Sequence, residues 1–173
     1  MEALEEGGRA AILGLKLIDS PVTCRVYDSP LLDSDSAISH RRLDGYFRAM
    51  KRKNCDINNE WIWHIPESGG NFARQAANEV LSISPRPQTV LCMSDMIALE
   101  LLQCALSKGI KVPQELKITG FDGIDEARRT RPVLTTVCQS SIEKGETAAK
   151  LLLEGEQADS VILDFELLNG GTI

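Results

Sequence analysis

Short apolar runs that alternate with segments of helical periodicity are the feature that most restricts how this chain can fold. Runs suited to buried strands cover residues 10–15, 61–65, 89–93, 118–121 and 134–137. Between them lie segments with apolar residues at helical spacing: "HRRLDGYFRAM", the stretch 71–81, the stripe Ile97, Leu101 and Ala105, and the stretch 142–153. Strands separated by helices predict an α/β fold, a parallel sheet with helices on both faces.

Two segments depart from this alternation. Residues 18–39 are rich in Asp, Ser and Pro, which predicts a long loop with a short strand at 24–27. Near the end of the chain, Val161, Leu163, Phe165 and Leu167 recur at every second position. That spacing predicts a last strand over 161–167 with these four side chains on one face.

Charge and hydropathy exclude some classes of partner. The net charge is -6, which disfavours non-specific binding to nucleic acid, because neutralising phosphates requires a basic surface. A basic cluster does occur in one predicted helix, and we interpret it as a solvated helix end: Arg41, Arg42, Arg48, Lys51, Arg52 and Lys53. The sequence has no apolar run long enough to span a bilayer and no signal peptide at its start, so no membrane partner is expected.

The five cysteines form no Cys-x-x-Cys pair and are odd in number. This pattern is typical of free thiols in a reducing compartment, which favours the cytoplasm over the periplasm. Only two histidines are present, and they do not cluster with the cysteines. A metal site is therefore not expected, and no motif calls for a cofactor.

Polar residues follow several predicted strands at the point where each strand ends. Asp122 follows 118–121, Ser94 and Asp95 follow 89–93, and His64 lies at the end of 61–65. Arg42 lies near the start of the helix after the first strand. Because ligands of parallel sheets bind at the carboxyl ends of the strands, these groups are candidates to converge on one rim.

Three stretches together resemble the LacI/GalR family of bacterial transcription regulators. They are "HRRLDGYFRAM", "PESGGNFARQAANEVL" and the long segment from "TVLCMSDMIALE" to "KLLLEG". The resemblance implies a periplasmic-binding-protein-like fold of type I, with two similar α/β subdomains joined by three crossovers. In this family a sugar or nucleobase binds in the cleft between the subdomains.

The resemblance also implies how the chain is divided. Residues 1–125 would form the C-terminal subdomain, 126–157 a crossover and the last part of the N-terminal subdomain, and 158–173 the return to the C-terminal subdomain. The helix-turn-helix headpiece and most of the N-terminal subdomain would precede Met1. The first residues have the pattern of a helix end that runs into a strand, so we expect further sequence upstream.

Six residues match binding positions of the family. Arg42 corresponds to a ligand-binding arginine and Asp122 to an acceptor of sugar hydroxyls. His64 stands where an aromatic ring often stacks on the ligand. Gln139 corresponds to a glutamine near the cleft. Ser94 replaces a frequent Asn, and the next residue, Asp95, matches the family. A carboxylate and a guanidinium can hold vicinal hydroxyls, and the small ring of His64 suits a sugar at least as well as a purine.

Each of these residues also has a purely structural interpretation. From residue type alone, Arg42 could pair with Asp44 or another surface acid, and Asp122 could belong to an ordinary Asp-Gly turn. Ser94 and Asp95 suit the cap and first turn of a helix without any ligand. His64 could simply pack beside Trp63.

Three functions remain open at this stage. The first is the sugar-sensing domain of a cytoplasmic repressor, a homodimer that meets DNA only through the absent headpiece. The second is a periplasmic sugar-binding protein of a transport system. The third, an enzyme using Cys138 or Cys55 with His64, is disfavoured because no nucleophile elbow, phosphate loop or metal motif is present. The face bearing Leu99 and Leu102 is interpreted as either core or dimer contact.

Overall fold

A seven-stranded mixed sheet organises the chain, and a computed structural model describes residues 3–27, 37–154 and 160–173 of it. Five strands are parallel: β1 (Ala10–Leu15), β3 (Ile62–Ile65), β4 (Thr89–Cys92), β5 (Lys117–Asp122) and β6 (Thr135–Gln139). Two antiparallel strands form the edges: β2 (Cys24–Arg25) and β7 (Phe165–Leu168). The strand order is β2-β3-β1-β4-β5-β6-β7.

In the described ranges, five α-helices connect the strands, and those that pack on the sheet lie on both of its faces as predicted. They are α1 (Ala37–Arg52), α2 (Gly70–Leu81), α3 (Asp95–Ser107), α4 (Asp125–Arg129) and α5 (Ser141–Glu154). Alternating residues of β1 show the two faces: Ala11 and Leu13 pack in the core with α2 and α3, whereas Ala10 and Ile12 pack in the core with α1. Burial of the first five of its six residues explains the uninterrupted apolar sequence of the strand.

Helix α3 shows how local sequence fixes an element in place. Its N-cap is Ser94, whose hydroxyl accepts a hydrogen bond from the Ile97 amide at 3.3 Å. Its buried face includes Leu101 and Leu102. Leu102, which the sequence left open between core and dimer contact, therefore belongs to the core. Leu99 is partly buried and packs against the same cluster.

Several predicted bounds needed correction. The strand expected over 161–167 is shorter and covers Phe165–Leu168, so the alternating pattern overstated its length at the start. Helix α1 begins inside the predicted 18–39 loop, and the short strand predicted at 24–27 is limited to Cys24–Arg25. A 3-10 helix, Asn59–Trp61, precedes β3 and replaces the first residue of that predicted strand. The remainder of the loop, 28–36, and the predicted domain boundary at 157–158 lie outside the described residues.

Helix α5 differs from the other helices in having no buried residue. Its apolar side chains Ile142, Leu152 and Leu153 are 81%, 84% and 89% exposed. An amphipathic helix whose apolar residues face solvent has no packing partner within the described part of the chain. Nowhere in these same ranges is there a helix that is long and apolar enough to cross a membrane.

Candidate functional site

An arginine and an aspartate meet at the carboxyl end of the sheet. The guanidinium of Arg42, on α1, donates from Nη2 to Oδ1 of Asp122 at 3.3 Å. Its Nη1 donates to the carbonyl of Met93, and the group lies 3.8 Å from the ring centroid of Phe121. The alternative pairing of Arg42 with Asp44 does not occur, because Asp44 pairs with Arg48.

The order of the strands explains why these groups meet. Strand β3 is the neighbour of β1 on one side, and the chain then crosses back so that β4 is the neighbour of β1 on the other side. Connections that reverse direction in this way leave a crevice at the carboxyl ends of the two central strands, β1 and β4. Arg42 follows β1 through α1, and Met93 directly follows β4, so their contact lies at this crevice.

Asp122 is held in an unfavourable electrostatic and backbone state. Burial raises the pKa of its carboxyl above the ordinary value, the nearby Arg42 opposes that shift, and the charge of Asp95 adds to it. Its φ is 120°, a region that L-residues rarely adopt. The side chain nevertheless keeps 38% of its surface exposed, so its oxygens are accessible from the rim. Strain and desolvation at an accessible carboxylate are typical of binding sites.

Gln139 joins Asp122 to a second cation. Strand pairing sets Asp122 opposite Cys138, which places Gln139 beside the end of β5. The Gln139 amide donates from Nε2 to Asp122 Oδ1 at 3.4 Å, and its Oε1 accepts from Lys144 Nζ at 2.6 Å. We name the row Arg42, Asp122, Gln139 and Lys144 the rim network. Three of its members were predicted from the sequence.

Asp95 is fully buried and acts as a connector between elements. Its Oδ2 accepts from the amides of Gly123 and Ile124 at 2.7 and 2.9 Å, and its Oδ1 accepts from the Thr136 hydroxyl at 2.6 Å. All three donors lie on β6 or on the turn after β5. The carboxylate therefore fixes the turn that carries Asp122, and it has no surface facing a ligand.

His64 is buried under the loop that follows β1. Its Nδ1 accepts from the amides of Leu17 and Ile18 at 3.0 and 3.1 Å, and its Nε2 bonds the Ser20 carbonyl at 2.9 Å. These partners assign the tautomer with the proton on Nε2, and burial lowers the pKa of the ring. Both ring nitrogens of His64 are bonded and 1% of its surface is exposed. The hydrogen bonds of His64 and of the buried Ser94 in the described ranges go to partners outside the rim network.

The cysteine–histidine pairs considered for catalysis are not assembled. The thiol of Cys55 is buried and donates to the Glu5 carbonyl at 3.3 Å, and burial raises its pKa. Both ring nitrogens of His64 are engaged by backbone groups of 17–20. Cys138 lies beside Arg128, with its sulfur 3.9 Å from that guanidinium. All five cysteines are free.

Two members of the site escaped the sequence interpretation, and the reasons differ. Phe121 could have been found from strand alternation, which places neighbouring residues on opposite faces of the sheet. Gly120 faces Asp95 of α3, so Phe121 faces the side of the sheet that α1 covers. Lys144 carried no such signal, since it is one of several charged residues on an exposed helix.

A nearby cavity of about 310 Å³ is lined mainly by apolar side chains, and none of the six predicted site residues lines it.

Comparison with known proteins assigns the chain to a family. A model of the periplasmic binding protein-like domain matches residues 28–163. The chain belongs to the periplasmic binding protein-like domain family. It is 36% identical to the HTH-type transcriptional repressor PurR of Vibrio vulnificus over 124 residues, which cover 69% of this chain and 36% of that protein.

Two further relatives agree with this assignment. The ribose operon repressor of Haemophilus influenzae is 36% identical over 120 residues, which cover 68% of this chain and 35% of the repressor. The crystal structure of transcription regulator GntR from Chromobacterium violaceum superposes with a TM-score of 0.78 at 26% identity, covering 96% of this chain and 56% of that one. The predicted resemblance to LacI/GalR regulators is confirmed, and the chain spans little more than a third of these curated relatives.

Proposed function

We propose that this chain is the effector-sensing region of a LacI-type transcriptional repressor and that its effector is a sugar bound at the rim network. The observation that carries the proposal is the pairing of Arg42 with Asp122 at the carboxyl end of the sheet, beside the crevice between β1 and β4. A guanidinium beside an accessible carboxylate supplies both donors and acceptors for vicinal hydroxyls, and Gln139 adds an amide. The curated relatives are repressors, which supports a regulatory role without catalysis.

The proposal includes a division of the chain into two bodies. Residues 1–125 and 158–173 form the C-terminal subdomain together with α4 and β6, and the pairing of β6 with both β5 and β7 supports this placement. Helix α5 belongs to the N-terminal subdomain. The exposed apolar face of α5 supports this division, because it requires a partner that the described residues do not provide. Ligand bound between the subdomains would favour their closed arrangement by its higher affinity for that state.

The remaining parts of the proposal concern location and assembly. The protein works in the cytoplasm as a homodimer, and its contact with DNA is made by a helix-turn-helix domain outside this sequence. Five free cysteines support a reducing compartment. The partly buried Leu99 and the half-exposed Met96, both on α3, supply apolar surface for the dimer contact.

Titration of matched variants tests the proposal. D-ribose and D-glucose, each neutral and phosphorylated, would be titrated calorimetrically into the wild-type chain and into the variants Arg42→Ala and Asp122→Ala. Losing one side of a charge-assisted hydrogen-bonding pair should weaken binding by about 100-fold. Arg48→Ala is the control, since Arg48 lies on the same helix but pairs with Asp44 on the surface. Wild-type affinity in either rim variant, with the fold intact, contradicts the site assignment.

A further inference from the structure

Lys144 is a cation that forms no ion pair with an acid in the described part of the chain. Its ammonium donates to the Gln139 side-chain carbonyl at 2.6 Å, which is a neutral acceptor. The ion pairs found in the described ranges of the chain join other residues, so Lys144 takes part in none of them. Glu143 and Glu146 are close in sequence on α5, and neither forms an ion pair there.

Stability of α5 does not explain the lysine at this position. The Lys144 amide donates to the Ser140 carbonyl, so Lys144 lies in the first turn of the helix. The macrodipole places partial positive charge at that end, where a cation is unfavourable and an anion is favourable. Lys150, further along the same helix, is exposed and has no such conflict.

Charge is distributed unevenly along the rim network. Arg42 and Asp122 neutralise each other at one end, and the Gln139 amide is neutral. The Asp95 carboxylate is already engaged by donors on β6 and on the turn after β5. One positive charge is therefore left over at the end of the network that Lys144 occupies.

We propose that Lys144 determines specificity at the proposed effector site and that the effector is an anionic sugar, carrying a carboxylate or a phosphate besides its hydroxyls. This inference rests on the proposed function. The hydroxyls bind to Arg42 and Asp122, and the anionic group replaces the Gln139 carbonyl as the acceptor for Lys144. Exchanging a neutral acceptor for an ionised one strengthens the hydrogen bond, whereas a sugar hydroxyl offers no such gain.

The experiment measures the affinity ratio between anionic and neutral forms of the same sugar. D-glucose, D-glucose 6-phosphate and D-gluconate, with D-ribose and D-ribose 5-phosphate, are titrated calorimetrically into the full chain. Inorganic phosphate alone is titrated as well. We expect at least one anionic form to bind about tenfold more tightly than its neutral counterpart, and this preference to shrink in concentrated salt. Comparison of gluconate with glucose 6-phosphate distinguishes a carboxylate from a phosphate.

Three variants connect the preference to Lys144. Lys144→Met removes the charge while keeping a helix-forming side chain of similar length, and the affinity ratio should fall to about one. Lys144→Arg should keep the preference. Lys150→Met is the matched control on the same helix and should retain the wild-type ratio.

The possible failures are distinguishable from one another. Equal binding of neutral and anionic sugars by the wild type overturns this inference and leaves the proposed function standing. An unchanged ratio in Lys144→Met overturns it too. If inorganic phosphate binds as tightly as the phosphorylated sugars, the site holds an adventitious ion only and the inference fails. If neither form of any sugar binds, the proposed function fails together with the inference.

Discussion

Replacing Asp95 by Ala should destabilise the fold severely, although the Asp95 side chain exposes no surface to a ligand. The substitution removes the acceptor of three hydrogen bonds, from the amides of Gly123 and Ile124 and from the hydroxyl of Thr136. Thr136 is buried, and the two amides are partly accessible, so water can compensate for them in part. Hydrogen bonds to a charged group contribute about 1.5–3 kcal/mol each, and stranded donors add to the loss.

With partial compensation by water, we expect the free energy of unfolding to fall by about 3–5 kcal/mol. A loss of this size is a large fraction of the roughly 5–15 kcal/mol that a typical domain has available. Urea unfolding followed by tryptophan fluorescence measures it, because Trp63 is fully buried. Asp44→Ala is the control, since Asp44 is exposed and its pair with Arg48 should contribute about 0–1 kcal/mol.

A second variant separates the hydrogen bonds from other consequences of the substitution. Thr136→Val removes one donor and should lower the free energy of unfolding by about 1 kcal/mol in the wild type. In the Asp95→Ala background the same change should cost less, because its acceptor is already gone. If Asp95→Ala costs under about 1 kcal/mol, or if the two losses add fully, the connector role described for Asp95 is refuted.

Three further perturbations follow from the geometry. Gly123→Ala should destabilise the fold by more than about 2 kcal/mol, because Gly123 has a positive φ and an added Cβ would overlap Cys138. Gly145→Ala is the control and should be neutral or stabilising, because Gly145 lies on α5 with open space around it. Thermal unfolding compares the two variants. Burial lowers the pKa of His64, so its contribution to stability is present above pH 6.5 and is lost as the pH falls through the folded-state pKa. In His64→Gln, the urea midpoint of unfolding should depend less on pH below 6.5 than it does in the wild type. The raised pKa of Asp122 has the opposite sign, so stability falls as pH rises from 3.8 through its folded-state pKa. Asp122→Asn should lose that slope and be at least as stable as the wild type at pH 7 in chemical unfolding.

The layers of the fold followed from the sequence, because burial imposes a strong pattern. Strand β1 is buried on both faces and is apolar throughout, and α2 shows its buried face as spaced alanines. Edge elements were predicted less well. Strand β7 has three exposed residues out of four, so the pattern of Phe165 and Leu167 was not produced by burial and gave no reliable bound.

The site was predictable only as a set of residues near one rim. Strand ends identified Asp122, and the parallel sheet brought Gln139 beside it. The roles of the buried residues depend on contacts between distant positions, which no local pattern contains. His64 is enclosed by backbone amides 46 and 47 residues away, and the donors to Asp95 lie 28 to 41 residues away.

The fully buried Asp95 also bears on how such a chain can diversify. It sets the position of the turn that carries Asp122 without offering any surface to a ligand. Lys144 and Gln139, by contrast, lie at the rim, where side chains can be exchanged with little effect on folding. In the proposed site, recognition and architecture thus depend on different side chains near the same rim of the sheet. New ligand preferences can arise by substitutions at the rim while the underlying scaffold remains as it is.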